Sequence, residues 1–91
     1  MAMPSQEDVL GDVITILTVF TGRKPAQISP KDDLQKDLQL KSDRLNALAV
    51  SLRGYIKQHN PAATITGKEV KKKDLTVAKL AEAVFKKISV A

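Results

Sequence analysis

The chain has 91 residues, 43% of them hydrophobic, and only three aromatics, Phe20, Tyr55 and Phe85. That supplies one small domain with an aliphatic core and excludes a large preformed enzyme cleft, while the lack of cysteine excludes disulfides, thiolate nucleophiles and cysteine-ligated metals. The formal charge of +5 is uneven, −2 over residues 1–40 and +7 over residues 41–91, so an electrostatically drawn partner is anionic: nucleic acid, anionic membrane or an acidic protein surface.

The opening Met-Ala-Met-Pro-Ser lacks a basic segment followed by an apolar stretch, and no run approaches the roughly 18 apolar residues that span a bilayer. The expectation is a soluble, cytoplasmic monomer forming a single domain over residues 1–91, with its ordered core at about 6–89.

Ser5 followed by Asp8 marks a helix start, because a serine oxygen accepts an exposed amide and an acid in the first turn suits the helix dipole. Val9, Val13, Ile16, Leu17 and Phe20 then fall on one face at about 3.6 residues per turn. The β-branched run Val13-Ile14-Thr15-Ile16 favours a strand locally, but the longer spacing favours helix. Gly22 ends this first helix.

Residues 23–41 read as a long connection with Pro25, Pro30 and isolated apolar anchors at Ile28, Leu34, Leu38 and Leu40. Connections of this length in small domains usually carry function, and the spaced leucines can pin the segment across the other elements. Ser29-Pro30 is expected to begin a single helical turn.

A second helix is expected from about Ser42 to Lys57, burying Leu45, Leu48, Ala49, Leu52, Tyr55 and Ile56 and weakened modestly by Gly54. His59-Asn60-Pro61 stops it. Thr66-Gly67-Lys68-Glu69 fits a capping box for a short third helix over Lys68–Lys72. Thr76 caps a fourth, with a buried stripe of Val77, Leu80, Ala81, Val84, Phe85 and Ile88. The fold class is therefore all-α: a small four-helix bundle with a long loop between helices 1 and 2 and a short helix 3.

The segment Ile28-x-Pro30-x-Asp32-Asp33-Leu34-x-x-Asp37-Leu38-x-Leu40-x-Ser42, followed by the second helix, the short third and Leu75-Thr76-Val77 with Leu80 and Val84, resembles the acyl carrier protein family over almost the whole chain. The resemblance implies a bundle of acyl-carrier-protein type in which Ser42 bears 4′-phosphopantetheine and shuttles thioesters, in fatty-acid or lipid biosynthesis. It implies no catalytic centre, a holo-synthase that loads the arm from coenzyme A, and acyl-transferring or acyl-modifying partner enzymes. This chain departs from the family's Asp-Ser-Leu at Lys41 and Asp43, carries Gln39 for the common glycine, and has Ala47, Arg53 and Gly54 where acids are usual. A basic second helix predicts acidic docking surfaces on the partners, met through Lys41, Asp43, Arg44, Ala47, Val50 and Arg53.

Chemically, a carrier needs one exposed hydroxyl on a rigid element, and a helix start favours the attached phosphodiester through unpaired amides and the helix dipole. Lys41 and Arg44 add screened attraction. Ser42 can equally serve as a helix N-cap, with or without modification. The apolar stripes have a core role, and an acyl chain could enter between helices only if Leu48, Leu52, Val77 and Leu80 part. Two competing readings remain: an unmodified carrier-like interaction module, and a basic nucleic-acid-binding protein using Lys71-Lys72-Lys73 and Lys86-Lys87. The second lacks an exposed aromatic platform. His59, the only histidine, is expected to face solvent and gives no basis for a metal site, and no nucleophile–base–acid triad can be assembled.

Overall fold

Ser5 opens the first helix through a capping box, its hydroxyl accepting the Asp8 amide at 3.1 Å while the Asp8 carboxylate accepts the Ser5 amide at 3.0 Å. The computed structural model describes residues 4–89, and among these the chain forms four α-helices: α1 Gln6–Thr21, α2 Ser42–His59, α3 Gly67–Val70 and α4 Val77–Ser89. The all-α class, the long α1–α2 connection and the brevity of α3 are as the sequence implies. Gly22 ends α1 in the left-handed region, with φ 70°, and its amide donates to the Thr18 carbonyl at 3.0 Å.

The β-branched stretch of α1 is helical because Val9, Val13 and Leu17 are wholly buried on one side. Burying side chains of this size is worth about 1.5–3 kcal/mol each, more than the local strand preference can offset. They meet Leu48, Leu52 and Ile56 of α2 and Val77, Leu80 and Val84 of α4 in one cluster, each at most 1% exposed. Tyr55, Phe85, Ile16 and Phe20, expected in the buried stripes, instead lie half-buried against the rim of that cluster. A core this narrow is filled by aliphatic side chains, and Tyr55 also needs a partner for its hydroxyl, which it finds in the Asp12 carboxylate at 2.6 Å.

The element boundaries differ slightly from expectation. α2 continues two residues beyond Lys57 to His59, where Asn60 takes an extended conformation. α3 starts at Gly67 and stops at Val70, leaving Lys71 and Lys72 outside it. Thr66 and Glu69 form the expected capping box. Ile65 and Val70, which belong to no periodic run, are buried at 1% and 0% exposure.

The long connection is tied to the rest of the chain by backbone hydrogen bonds. Ser29-Pro30 does not start a helical turn: the helical turn falls earlier, a 3₁₀ turn at Pro25–Gln27, with the Gln27 amide bonded to the Lys24 carbonyl at 2.8 Å. Ser29–Asp32 closes only one reverse turn, the Asp32 amide donating to the Ser29 carbonyl at 3.0 Å. Beyond it Asp33 pairs with Thr76 in an isolated antiparallel bridge, the Leu34 amide donates to the Leu75 carbonyl at 3.1 Å, and the chain turns again over residues 34–37.

This bridge also starts α4. The Val77 and Ala78 amides, which a helix leaves without internal acceptors, donate to the carbonyls of Asp32 and Pro30, both at 2.9 Å. Thr76 completes the cap by accepting the Lys79 amide at 3.2 Å. Among the described residues no helix is long and apolar enough to cross a membrane.

Candidate functional site

Ser42 is held from both sides by packed leucines. Leu38 and Leu40 before it and Leu45 after it are 5%, 3% and 2% exposed, and the Leu40 amide donates to the Leu34 carbonyl at 3.0 Å. Upstream, Asp33 knots the loop: its carboxylate accepts the Gln35 and Lys36 amides at 2.8 and 2.9 Å, while its own amide donates to the Asp37 carboxylate at 2.7 Å. The Lys36 amide, helped by that of Gln35 and the charges of Lys36 and Lys79, holds the Asp33 carboxyl below its ordinary value against the opposing effect of burial.

Between the knot and the helix, Gln39 adopts φ 56°, a left-handed conformation that turns the chain between two buried leucines. A side chain there costs about 1 kcal/mol, which the packing of Leu38 and Leu40 sustains.

Ser42 is the first residue of α2 and does not cap it. The cap position belongs to Lys41, extended at φ −94° and ψ 176°, which makes no side-chain capping bond. The reason is geometric: the first backbone bond of α2 is from Leu45 to the Lys41 carbonyl at 2.8 Å, so the helix begins one residue earlier than a Ser42 cap requires. The Ser42 hydroxyl is exposed and engages no group among the described residues. The amides of Ser42, Asp43 and Arg44 likewise have no acceptor there, leaving three donors and the positive end of an 18-residue helix facing outward.

The other expected site residues divide into two sets. Asp43, Ala47 and Val50 form an exposed stripe along the outer face of α2, and Val50 is 61% exposed, unusual for a valine. Lys41 is exposed beside it. Arg44 and Arg53 lie on the two flanks and are committed internally: Arg44 Nη1 donates to the Phe20 carbonyl at 2.9 Å and Arg53 Nε to the Ile65 carbonyl at 3.1 Å. Both therefore tie α2 to neighbouring segments as well as contributing charge.

A depression of about 400 Å3 lies between Val19 and Phe20 at the end of α1, Leu38–Leu40 of the loop, and Arg44. Ser42 is not part of its wall. The stripe Leu48, Leu52, Val77 and Leu80 is closed, each residue at most 1% exposed.

Of the lysines noted in the sequence, Lys86 pairs with Glu82 at 3.3 Å and Lys87 with Glu69 at 3.0 Å. His59 is exposed as expected and stands edge-on to Tyr55, ring centroids 5.1 Å apart. Among the described residues no three His, Asp or Glu side chains converge in the manner of a metal site. No family model, no curated protein and no solved structure matches this chain.

Proposed function

We propose that the protein is a specialised acyl carrier, with Ser42 the attachment point of a 4′-phosphopantetheine arm. The observation that carries this reading is a single exposed, unengaged hydroxyl at the first residue of a long helix, on a backbone anchored by Leu40 on one side and Leu45 on the other. A tether must be accessible to several enzymes yet fixed in direction, and this setting meets both needs. The left-handed conformation of Gln39 adds support, because it explains why the family uses glycine at that place.

In loading, the Ser42 oxygen would attack the pantetheine-bearing phosphorus of the coenzyme A pyrophosphate. A phosphorus–oxygen bond to serine forms, the bond to the adenosine bisphosphate breaks, and the serine proton passes to a base on the holo-synthase. The free amides of residues 42–44 suit the resulting phosphodiester, an effect of about 0.3–1 kcal/mol at an exposed helix terminus. Once bound, the arm's thiol supplies thioester chemistry, and the acyl transfers belong to partner enzymes. Lys41 and the outer stripe of α2 would meet those partners, with acidic surfaces the best complement to Lys41. The reading is of a cytoplasmic monomer that is not itself an enzyme.

A second reading is an unmodified interaction module of the same architecture. Asp43, exposed where the family has leucine, and the bare Val50 favour it, since both could serve docking without any attached group.

Intact-mass measurement after incubation with coenzyme A and a broad-specificity phosphopantetheinyl transferase separates the two. The carrier gains one phosphopantetheinyl group and Ser42→Ala gains none. Unchanged mass with several transferases leaves the interaction module.

A further inference from the structure

The geometry points to a second docking site, far along the chain from Ser42: the cleft between the α3 region and α4 receives an acidic, aliphatic segment of a partner protein. The cleft measures about 390 Å3, with an apolar floor in which the half-buried Leu75 and Ala83 overlie the buried Ile65 and Leu80. Its rim carries seven charged side chains, and their pairing decides its sign. All three acids are already neutralised: Glu69 by Lys87 at 3.0 Å, Asp74 by Lys36 at 2.8 Å and Glu82 by Lys86 at 3.3 Å. Lys72, Lys73 and Lys79 are exposed on the same rim and pair with no carboxylate among the described residues. Three cations without a salt-bridge partner among the described residues thus surround an apolar floor.

The combination selects its occupant. Carboxylates of a partner would find the free lysines, and one or two aliphatic side chains would cover the floor, each gaining from burial. Nucleic acid fits worse. No aromatic ring lines the cleft for bases to stack on, and its apolar floor offers nothing to a sugar-phosphate backbone. A flat bilayer cannot reach a recessed floor. The site needs no modification at Ser42, so it stands or falls independently of the carrier reading.

The probe is a synthetic amphipathic peptide bearing leucines at i and i+4 flanked by glutamates, titrated against the unmodified isotope-labelled chain. Amide shifts confined to residues around Ile65, Leu75 and Leu80, with affinity weakened at least about tenfold in Lys72→Gln/Lys73→Gln/Lys79→Gln, are the expected result. Lys24→Gln, in the α1–α2 connection and outside the cleft lining, should bind as the parent does. Glutamine for glutamate or alanine for leucine in the peptide should each abolish the shifts. Absence of shifts at about 1 mM peptide, shifts elsewhere, or tighter binding of an oligothymidine of similar length would overturn the proposal.

Discussion

The Leu34 amide donates to the Leu75 carbonyl at 3.1 Å, joining the middle of the long loop to the residue two places before α4. With Asp32 and Pro30 accepting the first amides of α4, loop and helix start become one hydrogen-bonded unit. Leu34 itself is fully buried. Leu34→Ala should therefore cost about 2–5 kcal/mol, as in a helix core, although the residue lies in a connection. Urea denaturation checks it, and a loss below about 1 kcal/mol would mean that the loop is a loose strap. Val19→Ala, at a position 77% exposed, serves as the neutral comparison.

Ser42→Ala should leave stability within about 0.5 kcal/mol of the parent, because the hydroxyl bonds nothing and Lys41 holds the cap position. Thr66→Ala, by contrast, breaks a reciprocal capping box and should cost about 0.5–2 kcal/mol. A matched pair of thermal melts compares them. A large loss in Ser42→Ala would expose a hidden capping role and weaken its use as the unloaded control.

Gly54 lies inside α2 with open space where a Cβ would stand. Gly54→Ala should stabilise the protein by about 0.5–1 kcal/mol, chiefly by restricting the unfolded chain. An unchanged or lowered denaturation midpoint would show that the position is constrained by something other than helix formation.

Arg53 Nε donates to the Ile65 carbonyl at 3.1 Å, anchoring the segment that enters α3. Arg53→Ala should lower stability by about 0.5–1.5 kcal/mol, whereas Lys41→Glu, at an exposed site without a bond, should not. Charge reversal aimed at partner docking is accordingly cleaner at Lys41. If Arg53→Ala melts like the parent, the Ile65 carbonyl finds water at no cost.

Asp33 and Glu69 both sit below their ordinary carboxyl values of 3.8 and 4.5, Asp33 chiefly through the Lys36 amide and Glu69 chiefly through the Thr66 amide. A carboxyl depressed in the fold contributes stability that is complete above its unfolded value and lost as pH falls through its folded one. Asp33→Asn should thus destabilise at neutral pH, with the difference from the parent shrinking below about pH 4. Thermal melts across pH 2.5 to 7 test it; a pH-independent difference would mean that packing alone is responsible.

Sequence by itself determined what depends on residues within about four positions of one another: the caps at Ser5, Thr66 and Thr76, the glycine stop at Gly22, and the stripes of α1, α2 and α4. It also placed the start of α2 at Ser42. What it could not supply are relationships between distant segments. That Arg44 reaches Phe20, that Arg53 reaches Ile65, and that the Ser29-Pro30 region becomes the cap of α4 depend on how the helices pack. Ile65 and Val70 are buried for the same reason, having no periodic neighbours to announce them. The α2 cap falls at Lys41, one residue before Ser42, where the Leu45 amide bonds the Lys41 carbonyl, and that leaves the Ser42 hydroxyl unengaged. Local chemistry wrote the helices; the burial of a few leucines far apart in the chain decided which polar groups remained free.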